Sequence, residues 1–183
     1  MGTRRYVILT EGVGSPAWAT FLPLFREAAA AVVALDIDPH ASGLYLADTG
    51  LLVPKYSDPA CFEALGRICR EQAVTLVFPS IHEGLASWSE RRESFADDGV
   101  FVAISPPATI AVCEDKWRTY EFFRSCGVPT PQTSLTAEFG LLKPRVGRGG
   151  AGIRRLAPGE SPDMTGCVTQ QFLEGQEYSV DAF

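Results

Sequence analysis

LLKPRVGRGGAGI, residues 141–153, is the stretch that decides the fold of the second half of this sequence. Its first three residues predict a short strand, and the four glycines among residues 147–152 predict a loop, because glycine permits backbone conformations with positive φ. Successive N–H groups of such a loop can point at one anion. Lys143 ends the strand with a point charge, and Arg145 and Arg148 can add forked hydrogen bonds. We therefore predict a phosphate-binding loop, with a flexible hairpin on a basic patch as the alternative.

The charge of this stretch contrasts with that of the whole chain. The 183 residues carry a formal net charge of −6, yet residues 141–155 contain five basic side chains and no acidic one. An acidic protein is a poor partner for phosphate backbones and anionic lipids, so we expect neither a nucleic acid nor a membrane as partner. The local basic stretch instead favours a small anionic ligand.

Around the loop, the sequence predicts a second domain over residues 106–183. A helix is expected over 115–125, and the strand that precedes the glycines is followed by three further apolar runs separated by glycine-bearing turns. Short strands joined in this way are typical of an antiparallel sheet. The predicted strands are residues 141–143, 153–156, 168–172 and 178–183.

Residues 1–105 alternate apolar runs with amphipathic segments. The runs at 6–9, 32–35, 76–78 and 100–104 predict buried strands, and helices are expected at 16–29, 59–71 and 83–95. Ser15 and Asp58 precede the first two of these helices and are residues that favour the N-cap position. Alternation of strand and helix predicts a parallel sheet covered on both faces, so we assign the chain to the α/β class.

A second glycine motif follows the first predicted strand. Gly12, Gly14 and Ala17 match the spacing G-x-G-x-x-A, and Asp36 ends the next strand. This pattern is typical of NAD-type dinucleotide binding, which stays open as an alternative. Glycines also occur wherever a parallel sheet needs a tight crossover, and a substrate could bind at the same turn.

The cysteines and the apolar runs indicate the compartment. Five widely spaced cysteines without a CxxC pair favour free structural thiols in a reducing environment. The apolar run near the N-terminus is too short for a signal peptide, and no stretch of about 18 apolar residues could span a bilayer. We therefore expect a cytoplasmic protein.

Four segments together resemble the ATP-grasp superfamily, most closely its carbamoyl-phosphate-synthase-like members. In chain order they are YLADTGLLVPKYSDPACFEALGRICREQAVTLVFPSIHEGLA, CEDKWRTYEFFRSCGVPTPQT, LLKPRVGRGGAGI and QQFLEGQEYSVDAF, which lie between residues 45 and 183 in the order and spacing of that superfamily, and the resemblance covers essentially all 183 residues. The resemblance implies that residues 1–105 form a Rossmann-like pre-ATP-grasp domain with a parallel sheet. It implies that residues 106–183 form the first lobe and the opening antiparallel strands of an ATP-grasp fold.

The resemblance also implies roles for individual residues. Lys116 corresponds to the family lysine that reaches the nucleotide phosphates, and Lys143 corresponds to the basic residue on the strand before the flexible loop. The glycines of residues 147–152 supply that loop. Gln171, Phe172 and Leu173 fall on the hinge that binds the adenine edge, where Gln171 replaces the commoner glutamate, and Glu177 falls on the acid that accepts the ribose hydroxyls. The expected ATP-binding residues are therefore Lys116, Lys143, Arg148, Gly149, Gly150, Gly152, Gln171, Phe172, Leu173 and Glu177.

The function implied is that of an ATP-dependent ligase. Family members activate a carboxylate as an acylphosphate, which an amine then attacks, so the expected partners are a small carboxylate and a small amine. Mg²⁺ is the expected cofactor beside ATP, and its ligands are expected beyond Phe183, so no metal ligand or catalytic residue is assigned in this chain. The alternatives are a short nucleotide-binding or interaction module without catalysis and the NAD-type protein. If the protein continues beyond Phe183 we expect an enzyme, with these residues alone inactive; a homodimer remains open.

Overall fold

The computed structural model describes residues 6–28, 30–176 and 178, and the chain divides into two compact units between Ile110 and Ala111. The first unit contains a sheet of five strands in the order β3-β2-β1-β4-β5, and every described pairing is parallel. Its strands are β1 (Tyr6–Glu11), β2 (Ala30–Asp36), β3 (Thr49–Leu52), β4 (Leu76–Phe78) and β5 (Phe101–Val102).

Helices connect these strands and cover both faces of the sheet. They are α1 (Trp18–Glu27), α2 (Gly43–Leu46), α3 (Cys61–Glu71) and α4 (His82–Asp97). Alternate residues of β2 belong to two separate apolar clusters: Val33 and Leu35 lie with residues of α3 and α4, whereas Val32 and Ala34 lie with residues of α1. Because side chains alternate across a strand, this division confirms the predicted parallel sheet buried on both faces.

Two predicted helices begin two residues later than expected. α1 starts at Trp18, whose N–H donates to the backbone oxygen of Ser15 at 3.0 Å, and α3 starts at Cys61, whose N–H donates to the backbone oxygen of Asp58 at 3.0 Å. Ser15 and Asp58 therefore each begin a hydrogen-bonded turn before the helix. Neither is the N-cap residue.

The second unit contains an antiparallel sheet. Its strands have the order β6-β9-β7-β8, and α6 (Lys116–Ser125) precedes them. Val168 and Thr169 of the central strand β9 are fully buried. The strands are β6 (Thr133–Ser134), β7 (Leu141–Pro144), β8 (Arg154–Arg155) and β9 (Cys167–Gln170). The predicted combination of a parallel and an antiparallel sheet is thus confirmed.

Some bounds differ from the predicted ones. The strand expected over 168–172 ends at Gln170, and the strand expected over 178–183 lies outside the described residues apart from Tyr178. The helix α5 (Pro107–Glu114) is not predicted, and it contains the division between the two units, whereas the domain boundary predicted from sequence precedes it.

Candidate functional site

Two lysines of the second unit lie close enough to repel each other. Lys143 is on β7, and Lys116 is the first residue of α6, with its Nζ 3.2 Å from the backbone oxygen of Gly147 and 3.5 Å from that of Arg145. Partial burial lowers the pKa of Lys143, and the positive charge of Lys116 lowers it further. An anion bound between the two ammonium groups would relieve this repulsion.

Asp115 fixes the start of α6 to the end of β7. Its carboxylate accepts hydrogen bonds from the backbone N–H groups of Trp117 (2.9 Å) and Arg118 (3.4 Å), and it forms a two-pronged ion pair with Arg145. Burial raises the pKa of Asp115, but the hydrogen bonds from Arg145 and from the helix outweigh burial and leave the pKa below its ordinary value. The backbone N–H of Lys116 also donates to the Arg145 oxygen, at 2.9 Å. Lys116 is therefore held in place by the β7 end.

This arrangement gives Arg145 a different role from the one predicted. The sequence suggested that its guanidinium contacts a phosphate, but in the structure both of its bonded nitrogens face Asp115. Asp115 is itself a residue that sequence reasoning missed. The signal for it was present, because aspartate directly before a helix is a favoured N-cap.

We expect Asp115→Ala to destabilise the start of α6, where Lys116 lies. The variant loses the N-cap of α6 and the partner of Arg145, and the cap alone is worth about 1 kcal/mol. Since the folded pKa of Asp115 is lowered, its stabilisation is present above the ordinary aspartate pKa and is lost as the pH falls through the folded value. Urea unfolding at several pH values should show the variant less stable than the wild type at neutral pH. The two should converge in acid, and an equal difference at every pH would contradict this role.

The glycine loop has the backbone conformation that the sequence predicted. Gly147, Gly149, Gly150 and Gly152 all have positive φ, between 65° and 137°. A Cβ atom at Gly152 would lie 2.8 Å from Pro144 Cγ, whereas one at any of the other three would meet no atom within 4 Å. The loop therefore needs glycine for its conformation and, at Gly152, also for space. Arg148 lies in this loop and is exposed.

The predicted hinge follows β9. The Gln171 N–H donates to the Gln132 backbone oxygen at 2.8 Å, and its Oε1 accepts from the Gln132 N–H at 3.4 Å. Phe172 lies under the Arg155 guanidinium, whose carbon is 3.8 Å from the ring centroid, and Leu173 is 58% exposed. Glu177 lies outside the described residues.

Gln170 was not predicted, yet it is the residue that contacts Lys143. Its Oε1 accepts a hydrogen bond from Lys143 Nζ at 2.6 Å, and its Nε2 donates to Thr133 Oγ1 at 3.0 Å. Lys143 lies opposite Val168 in the β7–β9 pairing, so Gln170, two residues further along, shares its face of the sheet. This contact could be predicted only from the register of β7 against β9, which the sequence alone does not give.

In the glycine motif of the first unit, the Asp36 carboxylate is bonded to the backbone of neighbouring loops. The Asp36 carboxylate accepts from the N–H groups of Gly14 (2.9 Å) and Asp38 (3.0 Å), one on each oxygen. In a dinucleotide site this acid would instead bind a ribose. Gly12 has φ +64°, and a Cβ there would lie 2.2 Å from Ile81 Cδ1, so close packing of the loop accounts for the glycine. These contacts disfavour the NAD-type alternative.

Glu11 is a buried acid at the end of β1, which sequence reasoning also missed. It is 4% exposed and accepts from the N–H groups of Ser80 and Ile81, from the Tyr56 hydroxyl and from Trp88 Nε1. Burial raises its pKa despite these four donors. Through the N–H groups of Ser80 and Ile81, Glu11 joins the loop after β4 to the sheet. Its partners Tyr56 and Trp88 are distant in sequence, so no local pattern predicted that Glu11 is buried.

Within the described part of the chain, no group of three or more His, Cys, Asp or Glu residues is arranged to hold a metal ion. None of the helices in the described ranges is long and apolar enough to cross a membrane.

Two family models match successive parts of the chain. The PylC-like N-terminal domain matches residues 8–103, and the ATP-grasp domain matches residues 113–183. None of the curated proteins is significantly similar in sequence.

Several solved structures share the fold at low sequence identity. The ADP complex of N5-carboxyaminoimidazole ribonucleotide synthetase has a TM-score of 0.66 and 12% identity, covering 94% of this chain and 48% of its own. The Staphylococcus aureus N5-carboxyaminoimidazole synthetase complexed with ADP gives 0.62 and 15%, with the same coverage. The biotin carboxylase subunit of pyruvate carboxylase gives 0.55 and 16%, covering 92% and 45%. The chain thus spans about half the length of these proteins.

Proposed function

Because this chain belongs to the ATP-grasp superfamily, we propose that it supplies the ATP-binding part of an ATP-dependent carboxylate-amine ligase. The observation that carries the proposal is the pair of neighbouring lysines, Lys116 and Lys143, beside a loop of positive-φ glycines. Two lysines whose charges repel each other favour a polyanionic ligand. The related synthetases solved with ADP support the choice of an adenine nucleotide.

In this proposal each part of the second unit contacts one part of ATP. Lys116 and Lys143 bind phosphate oxygens, and backbone N–H groups of Gly149, Gly150 and Gly152 surround them with Arg148. Gln171, Phe172 and Leu173 lie along the adenine, and Glu177 accepts the ribose hydroxyls.

The proposed reaction proceeds through an acylphosphate. An oxygen of the substrate carboxylate attacks the γ-phosphorus, the bond to the β-γ bridging oxygen breaks, and ADP leaves. An amine nitrogen then attacks the activated carbonyl carbon and displaces inorganic phosphate. Such transfer depends on positioning and on neutralising phosphate charge, which is the contribution of the two lysines and the loop amides. Mg²⁺ bound with ATP would neutralise further charge, with carboxylate ligands from protein beyond Phe183.

The remaining assignments complete this proposal. Residues 1–105 serve as the pre-ATP-grasp domain and residues 106–183 as the N-terminal part of the ATP-grasp domain. The partners are a small carboxylate and a small amine, in the cytoplasm, and a homodimer is the simplest assembly to test.

Calorimetric titration of the full protein with ATP, ADP and NAD tests the proposal. We expect both adenine nucleotides to bind, with dissociation constants in the range of about 1 μM to 1 mM, and NAD to produce no comparable signal. Binding of NAD alone would replace the ligase proposal with the dinucleotide one. Absence of binding by every nucleotide would reject both.

A further inference from the structure

The Gln170 amide is held in one orientation by its neighbours. The Thr133 hydroxyl donates its hydrogen to the Pro131 backbone oxygen at 3.0 Å, so its oxygen is left to accept from Gln170 Nε2. The other end of the amide, Oε1, then faces Lys143 Nζ at 2.6 Å. Thr133 is 5% exposed, which protects the arrangement from water. The orientation of the amide follows from this network.

The atom that accepts a hydrogen bond from Lys143, Gln170 Oε1, belongs to an uncharged amide. The neighbouring strand β9 holds no acidic residue, and the other neighbour β8 consists of two arginines. α6 contributes the repulsive charge of Lys116, while Asp115 before it is paired with Arg145. Lys143 is therefore positioned by a neutral group, which does not offset its positive charge as a carboxylate would.

We propose that Gln170 is a positioning residue for Lys143: a neutral tether that holds the ammonium group beside Lys116 without cancelling its charge. The proposal rests on the proposed function for the identity of the anion, which in that function is a nucleotide phosphate. A carboxylate at position 170 would hold Lys143 equally well but would compete with phosphate for it. Neutrality at this position, and not merely the hydrogen bond, is the property that matters.

The first experiment needs no nucleotide. The chain contains only three lysines, Lys55, Lys116 and Lys143, so ¹³Cε-labelled lysine gives three signals that can be titrated by NMR. We expect Gln170→Glu to raise the pKa of Lys143, because the new carboxylate stabilises the ammonium form. The matched control is Gln171→Glu, which adds the same charge one residue away, where the side chain faces Gln132, and should change Lys143 much less. Equal shifts in the two variants would overturn the tether.

The second experiment measures nucleotide affinity in the full protein. Gln170→Glu should weaken ATP and ADP binding about tenfold or more, and Gln72→Glu, which adds the same charge in the first unit, should not weaken it. Gln170→Met, which is neutral but lacks the acceptor, should fall between them, with thermal melting used to confirm that each variant is folded. An unchanged affinity in Gln170→Glu overturns the proposal. If the wild type binds no nucleotide, the proposed function fails, while the lysine titration still decides whether Gln170 holds Lys143.

Discussion

Lys143→Ala is expected to weaken ATP binding by about 10- to 100-fold, which corresponds to the loss of one hydrogen bond to a charged group. Lys143 lies on β7, the strand before the glycine loop, and its pKa is lowered in part by the charge of Lys116. Titration calorimetry of the wild type and the variant measures the change. Lys55→Ala is the matched control, because Lys55 belongs to the first unit and should leave affinity unchanged. An unchanged affinity in Lys143→Ala would remove the central element of the proposed site.

Lys143 favours ATP binding in the proposed site, but its buried charge should lower the stability of the protein without nucleotide. Its folded pKa is lowered, so the unfolded chain binds more protons between that pKa and the ordinary lysine value. The cost of the buried charge is therefore fully present below the folded pKa and is relieved as the pH rises through it. Lys143→Met should flatten this rise and should not destabilise the nucleotide-free protein at neutral pH. Urea unfolding measures both effects, and a large loss of stability would point to a structural lysine.

How much of this site the sequence predicts depends on the distance over which each signal acts. The strand, Lys143 and the positive-φ loop are encoded within residues 141–153, so local patterns suffice. Arg145 was assigned to a phosphate because its partner, Asp115, lies 30 residues earlier in the chain. Gln170 was missed because its contact with Lys143 depends on the pairing of two strands. Roles that depend on neighbouring residues in the sequence were predictable. Roles that depend on a partner distant in sequence, or on how two strands pair, were not.

The same distinction applies to the elements of the fold. β4 was predicted with its observed bounds, Leu76–Phe78, because it is a short apolar run between helices. β3 (Thr49–Leu52) was missed, since it is an edge strand with Leu52 57% exposed, and only two of its four residues have large apolar side chains. β6 has only two residues, Thr133 and Ser134, and its existence depends on pairing with β9.

Glu11→Gln is expected to destabilise the first unit by about 2–4 kcal/mol, although it removes a buried charge. Both Glu11 oxygens accept hydrogen bonds, one from the loop N–H groups and one from Tyr56 and Trp88. A carboxyl group keeps acceptor capacity on both oxygens whether or not it is ionised, whereas the NH₂ group of glutamine only donates and must face donors on one side. Urea unfolding followed by tryptophan emission measures the loss. Glu63→Gln, an exposed acid on α3, should change stability by less than about 0.5 kcal/mol.

The difference in stability between the wild type and the Glu11→Gln variant should depend on pH. The folded pKa of Glu11 is raised, so above the ordinary glutamate pKa the unfolded chain loses this proton before the folded one does. The wild type therefore loses stability as the pH rises from the ordinary glutamate value through the folded pKa, and Glu11→Gln does not. The two stabilities should approach each other over that window. A gap that widens instead would show that ionised Glu11 stabilises the fold.

The strand order β3-β2-β1-β4-β5 has a consequence for biosynthesis. β1 leaves the ribosome before the other four strands of this sheet and is also the innermost, with β2 on one side and β4 on the other. While the residues up to β4 are being translated, one edge of β1 has no partner, which is a period of risk for wrong pairing with other chains. The last strand of the sheet, β5, ends at Val102 and is translated before any residue of β6–β9. The first unit can therefore begin to fold while the strands of the second unit are still being synthesised.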